Sequence, residues 1–335
     1  MNTKGGQHYL LSAKARSLSL MAIMRLSDDE SFELFKESRW EGGKPVCPHC
    51  GCEEHYWIRT RKQWRCKACN HSFSVTSGTI FSNHKMPLRN YLAAIAIYSN
   101  AAKGISALQM SRDLNCQYKT AFVLAHKLRE SLVDKTETIL TGEVEIDGCY
   151  VNKHVRPSNR IENRVDRRLK ENQNPNKRTV VVIRQRGEQG ADKTLTFLAK
   201  SENQKATMKL ALKSISRDAT IYADEHHAYD ILHSKLQTKR VIHAKYYCGP
   251  NGENTNQAES FFSRFRRMQY GQVHKMDNKY IDRYASEAAY REDTRRTSNG
   301  EIFADIMARC ATTSVSRDFC GYWQGNKRIG ENIAA

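Results

Sequence analysis

The sequence predicts an α/β protein in which a mixed-sheet domain follows two smaller N-terminal modules. Three observations predict it. From Glu143 onward, apolar strand-like runs alternate with amphipathic helical segments; two Cys-x-x-Cys pairs lie far upstream; and three helical stretches punctuated by Gly, Ser and Asn lie between. Among the 335 residues, 54 Lys+Arg against 36 Asp+Glu leave a formal charge of +18, which favours a polyanionic partner. A hydrophobic fraction of 39% is enough for real cores and excludes a wholly disordered chain. No apolar run approaches the ~20 residues that span a bilayer, and Met1 to Ser19 lacks the apolar centre of a secretory signal. The expected setting is therefore cytoplasmic, with no membrane partner.

Residues 1–40 form the N-terminal helical segment, in which Asp28 to Trp40 is the helix, Ser27 its N-cap, and Phe32, Leu34 and Phe35 its buried side. Residues 41–82 read as a zinc ribbon. Cys47-Pro48-His49-Cys50 is followed after fifteen residues by Cys66-Lys67-Ala68-Cys69, the spacing of a four-thiolate site built from two tight turns. Tyr56 to Arg59 and Gln63 to Cys66 supply the hairpin between them. A redox dithiol or a disulfide pair is the alternative, and Cys52, His49 and His55 are local competitors for the metal. Zinc held by Cys47, Cys50, Cys66 and Cys69 would stabilise the module and take no part in chemistry.

Residues 83–135 carry helix-turn-helix grammar: an apolar helix over Pro87 to Ser99, a second helix capped by Ser106, a turn at Asn115-Cys116, and a longer helix over Gln117 to Leu132. Lys119, Lys127 and Arg129 are its candidate DNA contacts; an ordinary three-helix packing unit is the alternative reading.

Residues 140–295 hold the larger domain. Its strands are read at 144–146, 179–183, 195–198 and 219–222, and its helices at 204–215, 259–268 and 278–291, the order of a ribonuclease-H-like mixed sheet flanked by helices. Period-two alternation puts Glu143, Glu145 and Asp147 on one strand face, and Asp147 closes that strand, where chain ends and ligands meet in such sheets. Asp224 closes a second strand, with an N-cap before Ala228 as its alternative duty. Glu259 opens a basic helix, and Arg266 follows two turns later on the same face. Carboxylates at strand ends with a third beside them suit two-metal phosphoryl transfer, in which in-line displacement needs no side-chain nucleophile. His226, His227 and His243 are read as structural.

The insertion at 153–178 is strongly basic, with Arg156, Arg160, Arg164, Arg167 and Arg168 as candidate phosphate contacts. Lys239-Arg240 and Arg264-Arg266-Arg267 would extend the track. Residues 296–335 are a C-terminal tail containing Cys310, Cys320 and Trp323 in no metal spacing.

Glu145-Ile146-Asp147-Gly148, Tyr222-Ala223-Asp224-Glu225, Thr255 to Arg264 and Tyr284-Ala285-Ser286-Glu287 together resemble bacterial insertion-sequence transposases with a zinc ribbon and an ISXO-like DDE domain. The resemblance implies a DNA transposase that binds terminal inverted repeats and catalyses cleavage and strand transfer with Mg²⁺ or Mn²⁺. It further implies target DNA as a second substrate, at least a dimer on paired ends, and a nucleoid-associated location. Asp147 and Asp224 match the first two catalytic positions; the third takes Asn, His or Glu in the family, and both Asn256 and Glu259 fall inside the motif. An anionic oxygen binds Mg²⁺ more tightly than a neutral amide, which favours Glu259. Arg266 stands where the family usually has Lys. A DNA-binding regulator with an inactive core, or a nuclease without strand transfer, are the other functions compatible with these residues.

Overall fold

The computed structural model describes residues 9–133, 137–188, 190–242, 248–249 and 252–334. The chain falls into two units, residues 1–133 with 294–328, and residues 134–293 with 329–335.

In the first unit, helices α1 (Leu20–Arg25) and α2 (Asp28–Arg39) precede the cysteine module. Ser27 begins α2 through a capping box: its Oγ accepts from the Glu30 amide at 3.2 Å while the Glu30 carboxylate accepts from the Ser27 amide at 2.7 Å. Phe32 and Phe35 are the buried face of α2. Strands β1 (His55–Ile58), β2 (Gln63–Cys66) and β3 (Ser72–Phe73) form an antiparallel sheet in that order. Trp64 is only 5% exposed and lies at 4.9 Å from the Trp57 ring, 5.4 Å from Trp40, 5.6 Å from Phe32 and 5.7 Å from Phe73. This aromatic cluster supplies most of what core so small a sheet can have.

The rest of its stability comes from the thiols. Cys47 and Cys69 approach to 3.7 Å between sulfurs, Cys50 and Cys66 to 3.5 Å, and all four sulfurs lie within 4.8 Å of one another. Zn–S bonds of about 2.3 Å in a tetrahedron set sulfurs close to ~3.8 Å apart, so the donor set fits Zn²⁺. Both turns close as zinc knuckles should: the Gly51 amide donates to the Cys47 carbonyl and the Asn70 amide to the Cys66 carbonyl, with Gly51 at φ 75° and Asn70 at φ 58°. The local competitors are engaged elsewhere, His49 stacked on His71, His55 against Trp64 and Phe73, and Cys52 bonded to the Glu54 backbone.

Helices α3 (Leu88–Asn100), α4 (Ala107–Asp113) and α5 (Tyr118–Ser131) complete the helix-turn-helix. Ser106 caps α4 by accepting from the Gln109 amide at 3.1 Å, and Asn115 takes the left-handed turn conformation at φ 46°. The residues read as a tail contain a capped helix, Asn299–Thr312, that packs on α2, α3 and α5. Asn299 ties it down by donating to the Leu18 carbonyl at 2.9 Å and to Asn100 at 2.7 Å.

The second unit is built on a five-stranded sheet: β4 (Glu143–Val151), β5 (Arg178–Gly187), β6 (Gly190–Ala199), β7 (Thr220–Ala223) and β8 (Gln237–Arg240), in the order β6-β5-β4-β7-β8. β4, β5 and β6 pair antiparallel; β7 runs parallel to β4, and β8 parallel to β7. This is the ribonuclease-H-like arrangement, with the first strand of the sheet at its centre. Helices α6 (Gln204–Ser214), α7 (Asn256–Met268) and α8 (Ile281–Asp293) flank it. One buried cluster joins Val144 and Ile146 of β4 to Val181, Ile183, Ile221, Leu210 and Tyr229. β8 was not legible as a strand because Gln-Thr-Lys-Arg has no apolar pattern; a short charged strand at a sheet edge discourages pairing with other chains. Among the described residues no helix is long and apolar enough to cross a membrane.

Replacing Cys66 with Ser removes one of the four thiolates. The expected result is loss of bound zinc by elemental analysis, with a red shift of tryptophan emission as Trp64 meets water; full zinc retention would contradict the four-thiolate assignment.

Candidate active site

Parallel pairing of β4 with β7 decides where the first two acids lie. Glu143 is opposite Thr220 and the register runs to Ile146 opposite Ala223, so Asp147 and Asp224 follow on adjacent strands; Asp147 does not close β4, which continues to Val151 paired with β5, but lies where the pairing with β7 ends. Asp224 does not cap the following 3-10 helix, His227–Ser234: His226 does that, through a bond from the Ala228 amide to its ring. Asp224 Oδ1 instead accepts from the His226 amide at 2.9 Å, and Arg240 holds the loop from outside, donating to the Asp224 carbonyl at 2.6 Å and the His226 carbonyl at 2.9 Å. Arg240 is thus a brace for this loop, with Asp230 as its ion-pair partner, rather than part of a DNA track.

Of the three acids on the β4 face, Glu145 is the one the fold withdraws. It is fully buried, accepts from Arg186 Nε at 2.8 Å, and accepts from the Ala258 amide at 2.9 Å in the first turn of α7. Burial holds the Glu145 carboxyl above its ordinary value, and the Ala258 amide and Arg186 offset only part of that rise. A carboxylate at a helix N-terminus also meets the positive end of the helix dipole. Arg186 reaches further, donating to Glu143 at 3.0 Å and to the Asn254 carbonyl at 2.6 Å, while its guanidinium lies 3.8 Å from the Tyr222 ring centre. Arg184, two residues earlier on β5, donates to the Gln257 carbonyl at 2.6 Å and pairs with Glu292 of α8. Arg264 pairs with the same Glu292 and so is committed to packing.

These bonds fix α7 along β4. Ala258 touches Glu145 and Arg266 Nη2 touches Cys149 Sγ at 3.1 Å. Eight helical residues rise ~12 Å and four strand residues ~13 Å, so the two elements run side by side in one direction. Glu259 is exposed in the first turn of α7, with Thr255 Oγ1 at 3.5 Å from its carboxylate; Asn256 is the first helical residue and exposed. Both face solvent at the turn that Glu145 secures.

A fourth carboxylate escaped the sequence reading. Glu202, in the connection between β6 and α6, accepts from the fully buried Tyr229 hydroxyl at 2.5 Å. Its carboxylate fills the space beside Gly148, where any Cβ would collide with it. A side chain at 148 would have to displace the Glu202 carboxylate from its bond to Tyr229, and the glycine was the available signal: an invitation to close approach, though silent about what approaches. Burial, then Asp224, Glu202 and Glu259, push the Asp147 carboxyl up to about 8. Three further acids within electrostatic reach of Asp147 make a set that suits a divalent cation chemically. No three of them converge to within 4.8 Å; among the described residues only the cysteines do.

The DNA-contact candidates divide. Arg156, Arg160, Arg164, Arg167 and Arg168 are all exposed on the insertion, which has two short 3-10 turns, Ile161–Asn163 and Lys170–Asn172. In the first unit, Lys119 is partly exposed and its ammonium lies 4.4 Å from the Trp323 ring centre; Lys127 is half-buried, which pulls its pKa down. Arg129 requires a correction. It is 2% exposed and donates to the Ile105 carbonyl at 3.2 Å, bracing the turn before α4, so its guanidinium is not offered to a phosphate. His226 and His227 are neighbours with ring centroids 4.4 Å apart and tilted to one another; His243 lies outside the described residues.

Two outcomes follow. Arg186→Ala leaves Glu145 buried without its cation and is expected to cost ~3–5 kcal/mol in urea denaturation; a loss under ~1 kcal/mol would mean the pair contributes little. A raised carboxyl pKa means the folded state holds its proton between pH 4 and about 8 while the unfolded state does not, so metal-free stability falls as pH rises through that window. Asp147→Asn removes this slope, and its melting temperature at pH 8 should exceed that of the parent by at least ~4 °C.

Residues 139–293 match the ISXO2-like transposase domain, and residues 26–72 match the transposase zinc-ribbon domain. An uncharacterised protein in transposable element ISH50 of Halobacterium salinarum is 24% identical over 260 residues, covering 72% of this chain and 83% of that protein. The chain thus carries a match to the transposase zinc-ribbon domain followed by a match to the ISXO2-like transposase domain.

Proposed function

We propose that this transposase binds the terminal inverted repeats of an insertion sequence and catalyses metal-dependent DNA cleavage and strand transfer. The observation that carries the proposal is the placement of Asp147 and Asp224 side by side where the parallel pairing of β4 with β7 ends, with Glu202 and Glu259 close enough to act on the Asp147 carboxyl. Mg²⁺ or Mn²⁺ bound there would supply Lewis-acid activation of the attacking oxygen and stabilisation of the leaving one.

The chain's own residues do the rest. Asp147 and Asp224 are the two principal ligands, and Glu259 is the better third than Asn256, because its charge reaches Asp147 and an anionic oxygen suits a hard cation. Asn256, exposed at the same helix start, is placed to orient a phosphate. Arg266 lies beside Cys149, two residues past Asp147, and offers charge to the phosphate flanking the reaction. The exposed arginines of 153–178 grip the backbone without reading sequence, and the ribbon and helix-turn-helix, through Lys119 and Lys127, address the terminal repeats. Two element ends must be cut together, which calls for at least a dimer on DNA.

Purified protein incubated with its element ends, a target plasmid and Mg²⁺ or Mn²⁺ should give joined products. Asp147→Ala and Asp224→Ala should lower joining by at least ~1000-fold, Glu259→Ala should lower it more than Asn256→Ala, and all four should still bind the ends. Cleavage without joining would reduce the function to that of a nuclease; binding without cleavage under either metal would overturn the catalytic assignment.

A further inference from the structure

A cleft of about 1020 Å³ opens in the second unit, beyond the acids, between residues 150–155 at the end of β4, residues 174–176, and the turn 269–278 after α7. Its walls are fixed by bonds rather than by a ligand. Asn152, left-handed at φ 57°, donates to the Met276 carbonyl and to Asn278 Oδ1, each at 2.8 Å, and Asn174 donates to the His154 carbonyl at 2.9 Å. The chain leaves α7 through a π-helical turn, Gln269–Val273, and reverses at His274, which sits at φ 61°. Wide turns of this kind interrupt a helix at a stability cost and concentrate at functional positions.

The exposed charge along the lining is mostly basic. Lys153, Arg167, His274 and Lys275 are exposed along it, and the Tyr270 ring is 66% exposed. The acid in this lining, Asp277, is turned to its own backbone, accepting from the Lys279 amide at 3.0 Å. An aromatic face standing in a basic groove is how proteins hold single strands without reading sequence, stacking the base and neutralising the backbone. The cleft is at the upper end of the ~300–1,000 Å³ span of small-ligand sites, room for a short run of unpaired nucleotides and too little for a duplex.

The cleft is also in line with the acids. β4 carries the chain ~17 Å from Asp147 to Asn152, and α7 carries it ~16 Å from Glu259 to Tyr270, the two running side by side. At 3.4 Å per nucleotide along one B-form strand, that is roughly five nucleotides. We propose that this cleft holds an unpaired stretch of one DNA strand about five nucleotides from the reacting phosphate, with a base stacked on Tyr270 and the backbone on Lys153 and Lys275. It rests on the transposase reading for the path of the strand, and on the cleft alone for its preference for single strands.

The test uses full-length zinc-loaded protein without added Mg²⁺ or Mn²⁺, and compares a labelled oligothymidine with a duplex of the same length by fluorescence anisotropy. Tyr270→Ala should weaken oligothymidine binding roughly tenfold and duplex binding by less than about twofold, while Tyr270→Phe retains both. Lys275→Ala should weaken oligothymidine binding and flatten its salt dependence. Unchanged oligothymidine binding in Tyr270→Ala, or an equal loss on the duplex, overturns the proposal. Because no catalytic metal is present, a protein that never cuts or joins DNA would still report on the cleft, so the two proposals fail separately.

Discussion

A carboxylate with no access to water organises the second unit. Glu145 sits in the central strand and is fully buried, and a charge there is tolerable only if its surroundings compensate it. Two groups do so, the Arg186 guanidinium and the Ala258 amide at the start of α7. Each has a consequence beyond Glu145. Arg186 also secures Glu143 and the Asn254 carbonyl, so the approach to α7 is held from the same strand face. The amide sets the first turn of α7 against β4, which puts Glu259 one residue further along and Arg266 opposite Cys149. The interaction that costs most to bury therefore determines which acids can gather around Asp147.

Charge is distributed in two patterns. Where the chain packs, arginines are matched to acids: Arg184 and Arg264 to Glu292, Arg186 to Glu145, Arg178 to Glu331. Around Asp147, by contrast, Asp224, Glu202 and Glu259 add negative charge to an already desolvated carboxyl. Meanwhile the arginines of the insertion remain at the surface. A protein of net charge +18 that nevertheless concentrates acids beside β4 and β7 has the charge distribution that the proposed polyanionic substrate and cations call for.

Much of this was legible from the residues. Ser27 and Ser106 announced their helices because a hydroxyl before an acidic or apolar turn has few other uses, and both cap as expected. The cysteine pairs gave the ribbon, and acids next to apolar strand runs gave Asp147 and Asp224, since both signals are local; that Asp147 would close its strand was wrong, because β4 runs on to Val151 against β5. What failed was non-local. Glu202 carries no motif and acquires its place only when the β6–α6 connection folds back beside Gly148. Arg129 and Arg240 look like phosphate contacts in any list of basic residues, yet each braces a loop from another part of its own unit. For Arg129 a warning was present: it lies four residues after buried Ala125 and beside buried Leu128, on the apolar stripe of α5. The helix within 296–335 was missed because its apolar residues serve the N-terminal unit, hundreds of positions away.

Whether Asp147 and Asp224 bind a divalent cation is decided by anomalous diffraction from crystals of the protein soaked in Mn²⁺. Manganese density is expected between the Asp147 and Asp224 carboxylates and absent from crystals of Asp147→Asn. Manganese that binds elsewhere, or density there that survives Asp147→Asn unchanged, would contradict such a site.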